Sequence, residues 1–189
     1  MKFYASILLL FLSSCVSTKH EIKFYVLNPA SHMQIISYRN LQIGISSIKL
    51  PNYLTQNSLV VFLTPSVNKL LENDQWSGNL DDNIGQVLRT NLSMLFPHAV
   101  VQNFPWSAHF DPDYRVNIDI NQFYMDVYGN SVLNVTFQIT HGNNMHQYAY
   151  RFTRKLLALS PLIIVDNMNQ QLEKLSYNIA QHMIRSYTI

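Results

Sequence analysis

The feature that most constrains the fold is a set of three long runs in the second half of the chain, in which apolar and polar residues alternate. Their apolar positions are Tyr114, Val116, Ile118 and Ile120, then Leu133, Val135, Phe137 and Ile139, then Tyr148, Tyr150 and Phe152. A period of two is typical of strands that bury one face and expose the other. The connecting stretches YGNS and HGNN are rich in turn formers. The runs therefore predict an antiparallel meander.

Shorter strand signals precede the meander. They lie at residues 23–27, 41–48, 59–63 and 67–71 and in the stretch HAVVQN. The turn pair Asn28-Pro29 ends the first and Pro51 ends the second. The third and fourth flank the sequence TPS, which predicts a hairpin.

Two amphipathic helices complete the pattern. The first is predicted from about Leu80 to Phe96, because apolar residues recur there at steps of three and four. Asp81 and Asp82 lie in its first turn, where carboxylates favour the positive end of the helix dipole, and Pro97 ends it. The second is predicted from about Asp166 to Tyr187, after Ser160-Pro161 closes the meander. Its apolar face comprises Met168, Leu172, Leu175, Ile179 and Met183.

The strands and helices are segregated along the chain and do not alternate strictly. This order predicts an α+β fold: a mostly antiparallel sheet of about six to eight strands, with the two amphipathic helices packed on one face.

The first fifteen residues have the layout of a secretory leader. Lys2 is followed by a mainly apolar block of ten residues, Phe3 to Leu12, and then by small residues. Ten residues are too few to span a bilayer, which takes about 20. Leu12, Ser13 and Ser14 precede Cys15, the only cysteine of the chain. This order resembles the bacterial lipobox, which implies cleavage before Cys15 and acylation of that residue.

Lipidation would divide the chain into a lipoprotein signal peptide (residues 1–14), a lipidated N-terminus and tether (residues 15–22) and a single domain (residues 23–189). Two other interpretations remain open, an ordinary signal peptide with an incidental cysteine and a buried N-terminal strand. Val16, not Asp, follows the cysteine. By analogy with Gram-negative lipoproteins, this predicts an anchor at the outer membrane with the domain facing the periplasm.

Composition limits the classes of function. Without Lys2 the chain has 12 basic against 11 acidic residues, since 13 minus one leaves 12, so no charge pattern favours nucleic acid. Charged residues make up 13% and aromatic residues 12% of the chain. Such a low charge predicts that something else covers some apolar or aromatic surface. One cysteine forms no disulfide within the chain.

Several short motifs occur in a characteristic order behind the lipobox. They are Tyr25-x-Leu27, Ile43-Gly44-Ile45, Leu50-Pro51-x-Tyr53-Leu54, Asn68-x-Leu70, Trp76-x-x-x-Leu80, Leu88-x-x-Asn91-Leu92, Pro105-Trp106 and Tyr114-x-Val116. In this order and spacing the chain resembles the ABC-type transport auxiliary lipoproteins, the PqiC/YmbA family, over nearly its whole mature length.

The resemblance implies a non-enzymatic accessory lipoprotein, anchored in the outer membrane and facing the periplasm. Its implied partner is an MCE-domain protein that forms a tunnel for lipids between the two membranes. The resemblance also implies that the accessory protein acts there as a ring of copies. The alternatives are a structural or secretion-machine envelope lipoprotein and a periplasmic lipid hydrolase. The chain departs from the family pattern at Val60–Leu63, which is wholly apolar, and at Gly78, where relatives tend to have a glutamate.

No catalytic motif is recognisable. The stretch GISSI lacks the second glycine of a nucleophile elbow and is typical of a strand. His141 and His146 flank a hairpin tip, but a stable metal site takes three or four ligands, so they more plausibly solvate the turn. We therefore predict no catalytic residue, metal or cofactor.

Aromatic and apolar residues in loops are the better functional candidates, since Trp and Tyr are enriched at interfaces. Core packing is the competing explanation for each of them. The candidates for a partner surface are Tyr25, Leu50, Pro51, Tyr53, Leu54, Trp76, Phe104, Pro105 and Trp106. Among these, the loops Leu50–Leu54 and Phe104–Phe110 are the preferred sites.

Overall fold

The computed structural model of the protein describes residues 21–185. Its strands are β1 Lys23–Tyr25, β2 Gln42–Lys49, β3 Ser58–Thr64, β4 Val67–Trp76, β5 Val100–Asn103, β6 Tyr114–Asp126, β7 Asn130–His141 and β8 Asn144–Lys155, and its helices are α1 Leu80–Leu95 and α2 Pro161–Arg185. Eight strands form one sheet with two helices, which confirms the predicted α+β fold. The lipobox Leu12–Cys15 lies outside the described residues.

The predicted meander is the longest part of the sheet. β6 pairs with β7 and β7 with β8, both antiparallel and along almost their full lengths. The turn glycines Gly129 and Gly142 have φ values of 81° and 56°, which residues with a side chain rarely adopt. The predicted hairpin around TPS is also present, as the antiparallel pair β3 and β4.

On the edge of β6 opposite β7, two strands pair with different parts of β6. β2 pairs in parallel with the first half of β6, through Ile43 to Lys49, and β3 pairs in parallel with its end, at Val61 and Phe62. Between these two ladders, the Tyr53 hydroxyl accepts the Phe123 N–H at 3.0 Å. β5 extends the β2 branch and β1 extends the β4 edge, again in parallel. The sheet is thus mixed, although the antiparallel ladders are the longer ones.

Both helices pack on one face of the sheet. The fully buried helix residues include Ile84, Leu88, Leu92 and Leu95 of α1 and Leu172, Leu175 and Ile179 of α2. They form one core with the inward positions of β2, β6 and β7. α1 has the bounds that its apolar period predicts, to within one residue.

The predicted start of α2 near Asp166 is wrong, because the helix begins five residues earlier, at Pro161. Proline is favoured at the first helical position, where its fixed φ suits the helix and no N–H is needed. The Ser160 hydroxyl accepts the Ile163 N–H at 3.3 Å and so acts as a cap. Ser160-Pro161 therefore starts the helix, whereas the last strand of the meander already ends at Lys155.

An extended segment after β1 crosses the two helices without belonging to either or to the sheet. Helix asparagines hold its backbone: Asn83 bonds both the N–H and the C=O of Leu27, and Asn91 accepts the Ala30 N–H at 2.9 Å. Asn169 of α2 accepts the Asn28 N–H at 3.0 Å. These side chains replace the partners that a strand ladder would provide.

A candidate partner groove at the start of α1

The two preferred loops lie on opposite sides of the first turn of α1. On one side, Leu50 and Leu54 line a depression of about 290 Å³ with Gly78 to Asp81. On the other, Phe104 lines a depression of about 360 Å³ with β2, Asp81 and Asp82. Asp81 belongs to both depressions, so together they form one surface feature, which we call the α1 groove. The fold therefore brings together two segments that are about fifty residues apart in sequence.

The α1 groove combines acidic and apolar groups. The Asp81 carboxylate accepts the Asp82 N–H at 2.9 Å and satisfies one of the free N–H groups at the start of the helix. Both aspartates are exposed, and their charges offset the positive end of the helix dipole. The floor is formed in part by Gly85, beside Asn103, whose Oδ1 is buried with no hydrogen-bond partner among the described residues. The groove thus suits a segment that carries a positive charge beside an apolar side chain.

Phe104 is the most exposed aromatic residue of the preferred loops, at 64%. It follows β5, where its N–H donates to the Ile45 carbonyl at 2.9 Å, and its ring packs edge-on against Trp106, with 5.6 Å between centroids. The Phe104–Pro105 peptide bond is cis. A large exposed aromatic ring held by its neighbours is a suitable anchor for a partner.

Trp106 supports this loop from the side opposite the helices. Its ring lies over Gly44 so closely that a Cβ at residue 44 would come within 2.7 Å of it. Phe110 and the Arg115 guanidinium flank the ring, each with 5.9 Å to its centroid. Residue 44 must therefore be glycine, because the Trp106 ring leaves no room for a side chain there. Trp106 is half-buried, and its main role is to hold the Phe104 ring in position.

The remaining candidates differ in their exposure. Pro105 is exposed; Tyr25, Leu50, Pro51 and Tyr53 are half-buried; Leu54 and Trp76 are buried. The Tyr25 hydroxyl donates to Asp74 at 2.8 Å and ties β1 to β4. Burial raises the pKa of the Tyr53 hydroxyl, although the hydrogen bond from Phe123 opposes the shift. Leu54 and Trp76 belong to the core, so the surface available to a partner centres on Leu50 and Phe104.

The two departures from the family pattern have different surroundings. Phe62 lies between Tyr53 and Tyr124, at centroid distances of 5.2 and 4.3 Å, so the apolar strand is stabilised by aromatic packing. A Cβ at Gly78 would meet nothing within 4 Å. Gly78 lines the α1 groove, and its missing side chain leaves the groove wider at that point.

The open face of the sheet is a second surface, which was not predicted from the sequence. Amide and hydroxyl side chains form rows across β2, β6, β7 and β8: Ser47 donates to Asn117 at 3.1 Å and Gln138 to Gln147 at 3.0 Å. Together with Lys49, Asp119 and Thr136 they line a shallow depression of about 320 Å³. The signal was present in the sequence, as the polar positions between the alternating apolar residues.

The two histidines of the meander, His141 and His146, have different surroundings. His141 donates from Nδ1 to the Asp113 carbonyl at 2.8 Å and stacks on Tyr114, whereas His146 is exposed. Within residues 21–185, no group of three or more His, Cys, Asp or Glu side chains is placed to hold a metal ion.

His182 of α2 lies against two tyrosine rings of β8. Its Nε2 lies 2.6 Å from the Tyr150 hydroxyl and its ring stacks on Tyr148. Desolvation by burial, and secondarily the Arg185 charge, lower its pKa from the ordinary value of 6.5. In the folded state the ring is thus neutral over a pH range in which the unfolded chain is already protonated.

This difference predicts a pH-dependent stability. As the pH falls below 6.5, the unfolded chain takes up a proton at His182 and the folded chain does not, so the free energy of unfolding should decrease until the lowered pKa is reached. His182→Gln should lose this part of the decrease, whereas the control His146→Gln should retain it. Urea denaturation between pH 7.5 and pH 5 measures both, and equal slopes in the two variants would contradict the assignment.

Comparison with known proteins identifies the family. The model of the family described as ABC-type transport auxiliary lipoprotein component matches residues 25–180, which is most of the chain. The chain belongs to this family. The match includes both sides of the α1 groove and the whole meander, so both lie within the family domain. Among curated proteins, none matches the chain.

Solved structures of low sequence identity share the fold of this ABC-type transport auxiliary lipoprotein. The crystal structure of an uncharacterized protein is 20% identical, with a TM-score of 0.73 over 86% of this chain and 99% of that one. Protein XCC0632 from Xanthomonas campestris, of the family DUF330, is 11% identical, with a TM-score of 0.70 over 84% of this chain and 92% of that one.

In the described part of the chain, neither helix has the length and apolar content needed to cross a membrane.

Proposed function

We propose that this protein is a non-enzymatic accessory subunit of an MCE-type intermembrane lipid-transport system, anchored in the outer membrane by acyl chains on Cys15 and facing the periplasm. The observation that carries the proposal is the family match over residues 25–180, since the family is an auxiliary lipoprotein component of ABC-type transport. The lipobox and Val16 after Cys15 support the anchor and its location.

The protein would act by positioning a partner. Acyl chains hold one end of the polypeptide at the membrane, and the domain offers the α1 groove to an MCE-domain tunnel protein. Tethering raises the effective concentration of the groove near the tunnel, so a weak contact is sufficient. Several copies in a ring would multiply this effect around the tunnel mouth.

The groove itself predicts where the partner binds. Phe104→Asp should reduce recovery of the partner by tenfold or more, since loss of a central aromatic anchor costs about 2 kcal/mol or more in binding. The measurement is affinity purification of the lipidated full-length chain from membranes, followed by mass spectrometry of its companions. Met145→Asp is the matched control, because Met145 is similarly exposed, at 61% against 64%, but lies on β8, away from the groove.

The companions decide between the functions. An MCE-domain protein or its permease, recovered with the wild type and with Met145→Asp, supports the proposal. Recovery of secretion-machine or other structural envelope proteins in their place would favour the structural alternative. Turnover in an esterase or phosphatase screen, abolished by a single polar substitution, would favour a lipid hydrolase. Equal recovery with Phe104→Asp would place the binding surface elsewhere.

A further inference from the structure

Three connections that are distant in sequence meet at one end of the sheet and expose apolar side chains there. They are the β3–β4 turn with the end of β3, the β6–β7 turn, and the segment between β8 and α2 with the first turn of α2. The Val127 N–H donates to the Phe62 carbonyl at 2.9 Å and the Leu156 N–H to the Gly129 carbonyl at 2.8 Å, which holds the three connections together. We call this surface the apolar end, and its exposed residues are Leu63, Val127, Tyr128, Leu157, Leu159 and Leu162.

The apolar end is unusual in composition for a surface exposed to water. Leu157 is fully exposed, Leu162 is 71% exposed and Tyr128 is 70% exposed. Beside them, Lys155 donates from Nζ to the Tyr128 carbonyl at 2.6 Å. The opposite end of the meander instead carries the polar turn His141–Asn144. Exposed apolar side chains gathered at one end of a sheet mark a site that something else covers.

The direction of β1 indicates what covers it. β1 runs parallel to β4, and β4 starts at the β3–β4 turn, so the chain before Lys23 leads toward the apolar end. Phe24 of β1 pairs with Gln75 of β4, and Gln75 pairs with Ser58 of β3, so Phe24 and Ser58 lie at the same height in the sheet. From Ser58 to the end of β3 at Thr64 is six residue steps, or about 20 Å along the sheet. Cys15 precedes Phe24 by nine steps, a reach of up to about 30 Å.

We infer that the apolar end contacts the lipid surface of the membrane that holds the acyl chains. This inference rests on the proposed anchor at Cys15. The tether is long enough to place its lipidated end at the level of the apolar end, and it leaves the sheet in that direction. Leu157 and Leu162 then enter the boundary between headgroups and acyl chains, with the Tyr128 ring and the Lys155 ammonium at headgroup level. The α1 groove, set back along the sheet, remains open to a partner.

Site-directed spin labelling tests this orientation. Because Cys15 is the only cysteine and is blocked when acylated, Leu157→Cys or Leu162→Cys gives a single labelling site in the full-length protein. The lipidated protein is reconstituted in vesicles of phosphatidylethanolamine and phosphatidylglycerol. Labels at both residues should resist relaxation by a water-soluble nickel chelate and respond to oxygen, at a depth of about 5–10 Å below the headgroup boundary. The control Met145→Cys should respond to the nickel chelate.

Each contrary outcome has its own meaning. Acylated, vesicle-bound protein whose labels at residues 157 and 162 are as accessible to nickel as that at residue 145 overturns the orientation and leaves the anchor intact. Strong spin–spin broadening between copies at residue 157, with nickel access unchanged by vesicles, would assign the apolar end to a second copy of the chain. Protein that lacks acyl chains and does not sediment with vesicles overturns the anchor and this inference together.

Discussion

Cys15→Ala should remove the protein from the outer-membrane fraction. The substitution deletes the sulfur that would carry diacylglycerol, and it also prevents cleavage of the leader and acylation of the new amino group. Each buried CH₂ of an acyl chain contributes about 0.8 kcal/mol, and several chains together make a firm anchor. The loss should therefore be nearly complete. Fractionation of the envelope followed by immunoblotting measures the distribution, and intact-mass spectrometry shows whether residues 1–14 remain.

Ser13→Ala is the matched control, because it keeps a small residue in the lipobox and should leave processing and fractionation unchanged. The wild-type chain should begin at Cys15 with added acyl mass. If Cys15→Ala still partitions with outer membranes and still functions, or if the wild type keeps an unmodified amino terminus, the anchor is wrong and the proposed function loses its location.

Asn91→Ala should cause the largest loss of stability among substitutions of the polar residues of α1. Asn91 is fully buried; its Oδ1 accepts the Ala30 N–H at 2.9 Å, and its Nδ2 donates to the Ser176 hydroxyl at 3.1 Å. Alanine leaves these groups without a partner and opens a small cavity between the helices. A cost of about 2–4 kcal/mol in the free energy of unfolding is expected. Urea denaturation at constant pH measures it.

Thr90→Ala provides the comparison within the same helix. Thr90 is only half-buried, and its hydroxyl bonds the Gln86 carbonyl one turn earlier, so its loss should change stability by about 0.5 kcal/mol or less. Asn91→Asp, which keeps the acceptor for Ala30 but buries a charge, should also be strongly destabilising. A cost for Asn91→Ala as small as that for Thr90→Ala would show that these hydrogen bonds do not hold the extended segment in place.

Local patterns predicted much of the fold. The period of two fixed the meander, the turn formers fixed its connections, and the period of 3.6 fixed α1 to within one residue. The start of α2 was misplaced because Ser160-Pro161 is equally typical of a loop end and of a helix start. The parallel ladders of β2 and β3 on β6 could not be predicted, since pairing partners far apart in sequence leave no local signal.

In the candidate site, too, some features were predicted from the sequence and others depend on the fold. The sequence selected the loops around Leu50 and Phe104, and the fold places them on two sides of one groove. Exposure was not predictable from residue type: Trp76 and Leu54 resemble interface residues in sequence but lie in the core. Large apolar side chains suit a core and an interface equally well, so only their three-dimensional neighbours distinguish the two roles.

By itself, the sequence determined most of the strands and helices of this protein, and it is the basis of the proposed anchor at Cys15, because these signals depend on neighbours a few positions away. The tertiary structure alone decided that asparagines of two helices hold the segment after β1, that the α1 groove exists, and that exposed leucines gather at one end of the sheet. These features join residues separated by tens of positions, and their free energy is gained only when the whole sheet and both helices pack together.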